Sequence, residues 1–236
     1  WPRMVGKMIC RLGLERSRLE DIAVNMMAEH ILENHNSSHL FLSGGSTPGP
    51  IYEKLSRLEL PWKNVEVGLV DERWLSEDNP GSNASLIRRT LLQGQAKGAK
   101  FIPMKTSHST PEGGQNTVEA AYATHVTSKS FAVLGMGTDG HVCSWFPQST
   151  GLNEALDPAN EKVVQAIRAK KSSVTGDYLE RMTLTWSALK QCHTVLLLIT
   201  GQEKQQVLQE AMNNTASDLP VSHLLPLKNL TILHAA

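Results

Sequence analysis

The chain has 236 residues, 40% of them hydrophobic, and carries 23 Lys and Arg against 23 Asp and Glu. That length suits one large α/β domain, residues 1–236, with a sizeable core. Balanced charge excludes a global field drawing the protein to nucleic acid or to a membrane surface, so an anionic ligand must be held by local groups.

No apolar run approaches the roughly 20 residues of a membrane span, and residues 1–21 lack an uninterrupted signal-like core. Cys10, Cys143 and Cys192 are odd in number and far apart, matching neither a disulfide framework nor a zinc pattern, and the expectation is a reducing cytoplasm.

In chain order, Leu19, Ile22, Ala23, Met26, Met27 and Ile31 recur at helical spacing and predict an amphipathic helix over Leu19 to Leu32. His39 to Leu55 reads as a short strand, a glycine turn, and Ser46 and Thr47 before a helix opening near Pro48 and Pro50. Val65 to Leu75 reads as a buried strand followed abruptly by charge, and Ser82 to Leu92 as a helix. Phe101 to Met104 reads as a short strand and Glu112 to Thr127 as a helix. Phe131 to Leu134 is a buried strand running into the glycine loop GMGTDGH. Residues 148–158 hold turn formers and read as surface connection, while Lys162 to Ile167 and Arg181 to Thr185 read as strands. His193 to Met212 is a strand, a turn at Gly201 and a helix, and Asn229 to Ala235 a last strand. Continuous apolar strands alternating with helices predict a mainly parallel sheet covered on both faces.

Three segments, SGGSTP, DERW and GMGTDGH, each follow an apolar strand, and in a parallel sheet such strand ends open on one rim. Gly44, Gly45, Ser46 and Thr47 offer backbone N–H groups and hydroxyls suited to a phosphate. Arg73 suits a bidentate phosphate or carboxylate contact, Arg181 is a second clamp, and Lys204 follows the strongest strand. Among the nine histidines only His141 combines a glycine-rich approach, an acid two residues earlier at Asp139 and a strand-end position. GMGTDG also matches the dinucleotide pattern G-x-G-x-x-G, but Pro147 comes too soon for the helix that pattern requires. For metal binding there is no Cys/His cluster in the sequence, which leaves His141 with nearby carboxylates as the open combination.

SGGSTP, DERW with Ser82 and Asn83, LGMGTDGH-x-x-S-x-FP, ERMTLT and TGQEK stand in the order found in the 6-phosphogluconolactonases, and the chain resembles that family from about His39 to Ala211. The resemblance implies a three-layer α/β/α, Rossmann-like fold shared with glucosamine-6-phosphate deaminases and ribose-5-phosphate isomerases. It also implies metal-free and cofactor-free hydrolysis of 6-phospho-D-glucono-1,5-lactone in the pentose phosphate pathway. Carried over, the acid–base histidine falls on His141 with Asp139 beside it, and the phosphate and polyol contacts on Gly44, Gly45, Ser46, Thr47, Arg73, Arg181 and Lys204. Asp71 joins the substrate-binding set, and either Asp139 or Asp71 is expected to orient the imidazole. Where the family reads DGHTASLFP, this chain has Val142, Cys143 and Trp145, and Cys143 is read as a small residue packed behind the loop rather than a nucleophile.

Related deaminases have Tyr where Arg73 stands and Glu five residues after the histidine, where this chain has Phe146. That leaves a deaminase-like isomerising enzyme as the alternative, together with a non-catalytic sugar-phosphate sensor, for which no basic helix-turn-helix segment precedes His39. The expected partner is a small sugar phosphate, and the chain is expected to be a monomer or a homodimer.

Overall fold

Strands without polar alternation must be buried on both faces, and here they assemble into a parallel sheet flanked by helices. The computed structural model describes residues 9–214 and 217–236; residues 1–8, the first part of the segment read as lacking a signal-like core, lie outside it. The chain runs β1 (Ile9–Leu14), α1 (Arg16–Glu33), β2 (Ser38–Leu42), α2 (Gly49–Leu55), β3 (Val65–Leu69), β4 (Asp71–Arg73) and α3 (Asn83–Thr90). It continues through β5 (Lys100–Phe101), α4 (Pro111–Tyr122), β6 (Ser130–Gly135), α5 (Leu152–Leu156), β7 (Val164–Arg168) and β8 (Glu180–Leu184). The last elements are α6 (Trp186–Gln191), β9 (Thr194–Thr200), α7 (Gln202–Asn213) and β10 (Leu230–Ala235).

The main sheet has seven strands in the order β1-β10-β9-β6-β2-β3-β5, and every neighbouring pair is parallel. From β2 the chain first builds outward through β3 and β5, then returns to lay β6 on the other side of β2. The strand order therefore reverses between β2 and β6, which opens a crevice at their carboxyl ends. Both strands are buried almost throughout, and α1 adds Leu19, Ala23, Met27 and Ile31 to the same core.

Four features depart from the expectations. DERW is not simply the loop after β3: residues 71–73 form β4, which pairs antiparallel with β8, itself antiparallel to β7, in a second three-stranded sheet. An apolar run that ends in charge gave no sign of a second sheet, because β4 is three residues long and its charged side chains are held by tertiary partners. Residues 148–158 contain the short helix α5, which buries Ala155 completely. The first strand, β1, adds an exposed edge beside β10 that periodicity had not revealed. The helix expected over Glu112 to Thr127 is shorter, starting at Pro111 behind a Thr110 cap and ending at Tyr122.

The second sheet is fastened to the start of α3 by Glu72, only 1% exposed. Its carboxylate accepts from the Arg73 N–H at 2.7 Å, the Asn83 and Ala84 N–H groups at 2.8 Å each, and the Ser82 hydroxyl at 2.9 Å. Two of these donors are N–H groups of the first turn of α3, which have no intrahelical acceptor. Burial raises the Glu72 pKa in spite of the four donors. Glu72→Ala would strand those donors, each unsatisfied group costing about 1–3 kcal/mol. The urea midpoint of Glu72→Ala is expected to drop by the equivalent of at least about 2 kcal/mol, and that of Glu72→Gln, which keeps one acceptor oxygen, by less.

Candidate active site

The loops leaving β2 and β6 sit side by side at the strand-order reversal and line a cleft of about 230 Å³. Gly44, Gly45, Ser46 and Thr47 come from the first loop and His141 from the second, while Asp71 and Arg73 from β4, Arg181 from β8 and Lys204 from α7 complete the walls. Asp139 alone of the expected residues does not line the cleft; it lies against the His141 ring.

His141 is held from several sides. Its Nδ1 is 2.6 Å from Asp139 Oδ1, and the same oxygen accepts the His141 backbone N–H at 3.1 Å. Burial alone would raise the Asp139 carboxyl, but the hydrogen bonds and charge of His141 outweigh it and leave its pKa below the usual carboxylate range. Phe146 packs on the imidazole with ring centroids 4.4 Å apart, and the Arg181 guanidinium lies 5.1 Å from the other ring's centre. Gly137 makes the seat possible, because a Cβ there would collide with the His141 ring and come within 2.6 Å of Asp139 Oδ1. With Nδ1 engaged, Nε2 has no hydrogen-bond partner among the described residues.

Asp71, the other expected orienter, is engaged elsewhere. Its carboxylate accepts from Ser144 Oγ at 2.6 Å and Asn83 Nδ2 at 3.3 Å, and lies 3.8 Å from Arg181 Nη1. Asp71 thus braces the walls of the cleft while Asp139 holds the ring.

The positive charge of the cleft is concentrated against its own repulsion. Arg73 and Arg181 are directly opposite each other in the β4–β8 register, a like-charge placement that costs stability unless something offsets it. Arg181, 3% exposed, donates to the carbonyls of Tyr178 at 2.7 Å and Thr175 at 3.3 Å, and burial lowers its pKa to about 10. Two of its five N–H donors are spent on these carbonyls, and its Nη1 faces Asp71. Arg73 bonds the Gly81 carbonyl, but its buried Nε has no acceptor and no carboxylate pairs with it among the described residues. Lys204, in the first turn of α7, has no ion-pair partner among the described residues, and burial pulls its pKa below the usual lysine value. A cation near a helix N-terminus is disfavoured by the dipole, and a bound anion reverses the sign.

In the first loop, α2 begins at Gly49 with no side-chain cap, so the Ser46 and Thr47 hydroxyls are not spent on capping. Thr47 Oγ1 is 3.2 Å from Thr200 Oγ1, tying the loop to the end of β9. Gly44 packs so close to the Asn83 carboxamide that a Cβ would overlap it. Ser43 Oγ is buried without a partner in the same wall. Sequence reasoning missed Leu198 as a lining residue, and it missed the bracing by Ser144 and Phe146. Cys143 is 8% exposed yet forms part of the wall, and burial pushes its thiol well up, away from nucleophile chemistry.

The fold and cleft define an open parallel α/β protein whose cleft, at the strand-order reversal, gathers Arg73, Arg181 and Lys204 around a carboxylate-paired histidine. Residues 18–233 match the profile described as glucosamine-6-phosphate isomerases/6-phosphogluconolactonase, and the chain belongs to that family. It is 38% identical over 206 residues to a 6-phosphogluconolactonase of Xylella fastidiosa, covering 87% of this chain and 84% of that protein. It is 34% identical over 214 residues to one of Rhizobium meliloti, covering 90% and 89%. A crystal structure of a 6-phosphogluconolactonase from Shewanella baltica superposes with a TM-score of 0.89 at 29% identity, covering 99% of this chain and 100% of that one.

The short Asp139–His141 contact should give a far-downfield Nδ1–H proton resonance. Gly137→Ala is expected to abolish it in the proton NMR spectrum, whereas Gly135→Ala, where a Cβ meets nothing within 4 Å, should leave it in place.

Proposed function

We propose that the cleft hydrolyses 6-phospho-D-glucono-1,5-lactone to 6-phospho-D-gluconate in the pentose phosphate pathway, with His141 as the acid–base group. The observation that carries this reading is a hydrogen-bonded His141–Asp139 pair in the same cleft as Arg73 and Lys204, two cations with no carboxylate partner among the described residues. The family membership and the named relatives supply the substrate.

A lactone carbonyl is already electrophilic, so the protein has to contribute orientation, one base and charge stabilisation. Neutral His141 takes a proton on Nε2 from water as the water oxygen bonds to C1. The C1–O bond to the ring oxygen then breaks, and the imidazolium returns the proton to that oxygen. The acid product ionises to the carboxylate and releases one proton to solvent. Asp139 keeps the tautomer with Nδ1–H and stabilises the imidazolium while it exists. Arg73 and Lys204 hold the non-reacting phosphate with the Ser46–Thr47 loop, and backbone N–H groups of the glycine loops face the oxyanion. Phe146, stacked on the imidazole, occupies the place where related deaminases carry a glutamate, and this favours hydrolysis over ring opening and isomerisation, which needs that further proton carrier.

Acid release from freshly made lactone, followed by pH-stat and corrected for spontaneous hydrolysis, tests the reading. His141→Ala is expected to lower kcat at least about 100-fold while binding of 6-phosphogluconate stays within a few-fold. Full retained turnover rejects the assignment, and ammonia release from glucosamine 6-phosphate without lactone hydrolysis favours the isomerising alternative. Lys204→Ala should act mainly on binding, raising KM about tenfold or more with kcat changed only a few-fold.

A further inference from the structure

On the opposite rim, the amino ends of the parallel strands carry a second set of functional groups that the hydrolytic reaction does not use. His39 is the second residue of β2 and Glu66 the second of β3, and the two are register partners, so their side chains stand next to each other on one face. His125, just beyond α4, completes the group: its Nε2 lies 2.8 Å and His39 Nδ1 lies 3.4 Å from the same oxygen, Glu66 Oε2. One ligand atom from each residue falls within 4.8 Å of the other two.

We propose that His39, Glu66 and His125 bind a divalent first-row transition-metal ion, of which zinc is the best match to two imidazoles and one carboxylate. His39 is 7% exposed, yet its Nδ1 has no hydrogen-bond partner. In the metal-free cluster that buried nitrogen stands 3.4 Å from Glu66 Oε2 without a hydrogen bond to it. A metal ion uses all three lone pairs together. Ligand atoms at about 2.0–2.1 Å from a tetrahedral ion stand about 3.4 Å apart, within reach of the observed spacing.

The surroundings are arranged as metal-site supports are. His125 Nδ1 is 2.7 Å from the Ala121 carbonyl, which selects the tautomer with a free Nε2 lone pair. Ser130 Oγ donates to the His125 carbonyl at 2.6 Å and accepts the Thr127 N–H at 2.9 Å, fixing the turn that presents the ring. Lys100 Nζ takes Glu66 Oε1 at 2.7 Å and leaves Oε2 for the ion. The Glu66 and His125 side chains are 24% and 18% exposed, giving an entry path and a fourth position open to water.

The test uses the full chain, stripped of metal with a chelator and titrated with zinc against a chromophoric competitor, with cobalt absorption as a second readout. One equivalent is expected to bind and to raise the thermal midpoint. His125→Gln and Glu66→Gln, both close in shape to the original side chains, should each weaken zinc binding at least about tenfold. His125→Gln should leave lactone turnover unchanged, and His141→Ala should bind zinc as tightly as the unmodified chain. The proposal fails if no equivalent binds, if both rim variants keep the original affinity, or if His141→Ala is the variant that loses it, which would put the ion in the cleft.

Discussion

The parallel pairing of β2 with β6, His39 to Leu42 against Ser130 to Val133, decides where everything else can act. These strands are separated in sequence by α2, β3, β4, α3, β5 and α4, and they become neighbours only because the chain returns across β2 after building outward. Their carboxyl ends therefore discharge two glycine loops into one crevice, one rich in hydroxyls and backbone N–H groups, the other carrying the Asp139–His141 pair. A different strand order with the same local motifs would separate His141 from the Gly44–Thr47 loop.

The small antiparallel sheet supplies what the main sheet lacks. It brings Arg73 and Arg181 face to face, and Asp71, itself held by Ser144, together with the carbonyls of Thr175 and Tyr178 absorbs part of the repulsion by engaging Arg181. Arg73 keeps an unsatisfied buried Nε in the cleft wall. Local arrangements that cost stability and are not fully compensated within the chain are characteristic of functional sites, and the proposed substrate phosphate would bring Arg73 and Lys204 a charge of the right sign. Glu72 makes the arrangement rigid by tying β4 to the start of α3, so that Asn83 reaches both Gly44 and Asp71.

The two rims of the main sheet are built differently for a geometric reason. At the carboxyl rim, glycines keep side chains out of the way so that backbone groups face a ligand. At the amino rim, parallel register sets Ser130, His39, Glu66 and Lys100 in one row across four strands, and the chain following α4 folds His125 over it. The first rim presents glycine-loop backbone and one imidazole beside cationic side chains, whereas the second gathers two imidazoles and a carboxylate.

Some of this was legible from local order alone. Continuous apolar runs such as Phe131 to Leu134 can be satisfied only by strands buried on both faces, and a parallel α/β sheet follows from their alternation with helices. The SGGSTP, DERW and GMGTDGH segments pointed to the right walls because glycines, hydroxyls and charges at strand ends have few structural reasons to occur together. The choice of Asp139 over Asp71 as the partner of His141, the engagement of Arg181 within the protein, and the Arg73–Arg181 confrontation depend on distances set by the β4–β8 pairing, which no local pattern encodes. The grouping of His39, Glu66 and His125 is likewise a product of strand register, since residues this far apart in the chain share no spacing motif. Sequence determined the elements and the chemistry each could offer, because propensity and burial act over a few residues; tertiary structure alone decided which groups meet, because that is set by strand order and packing across the whole chain.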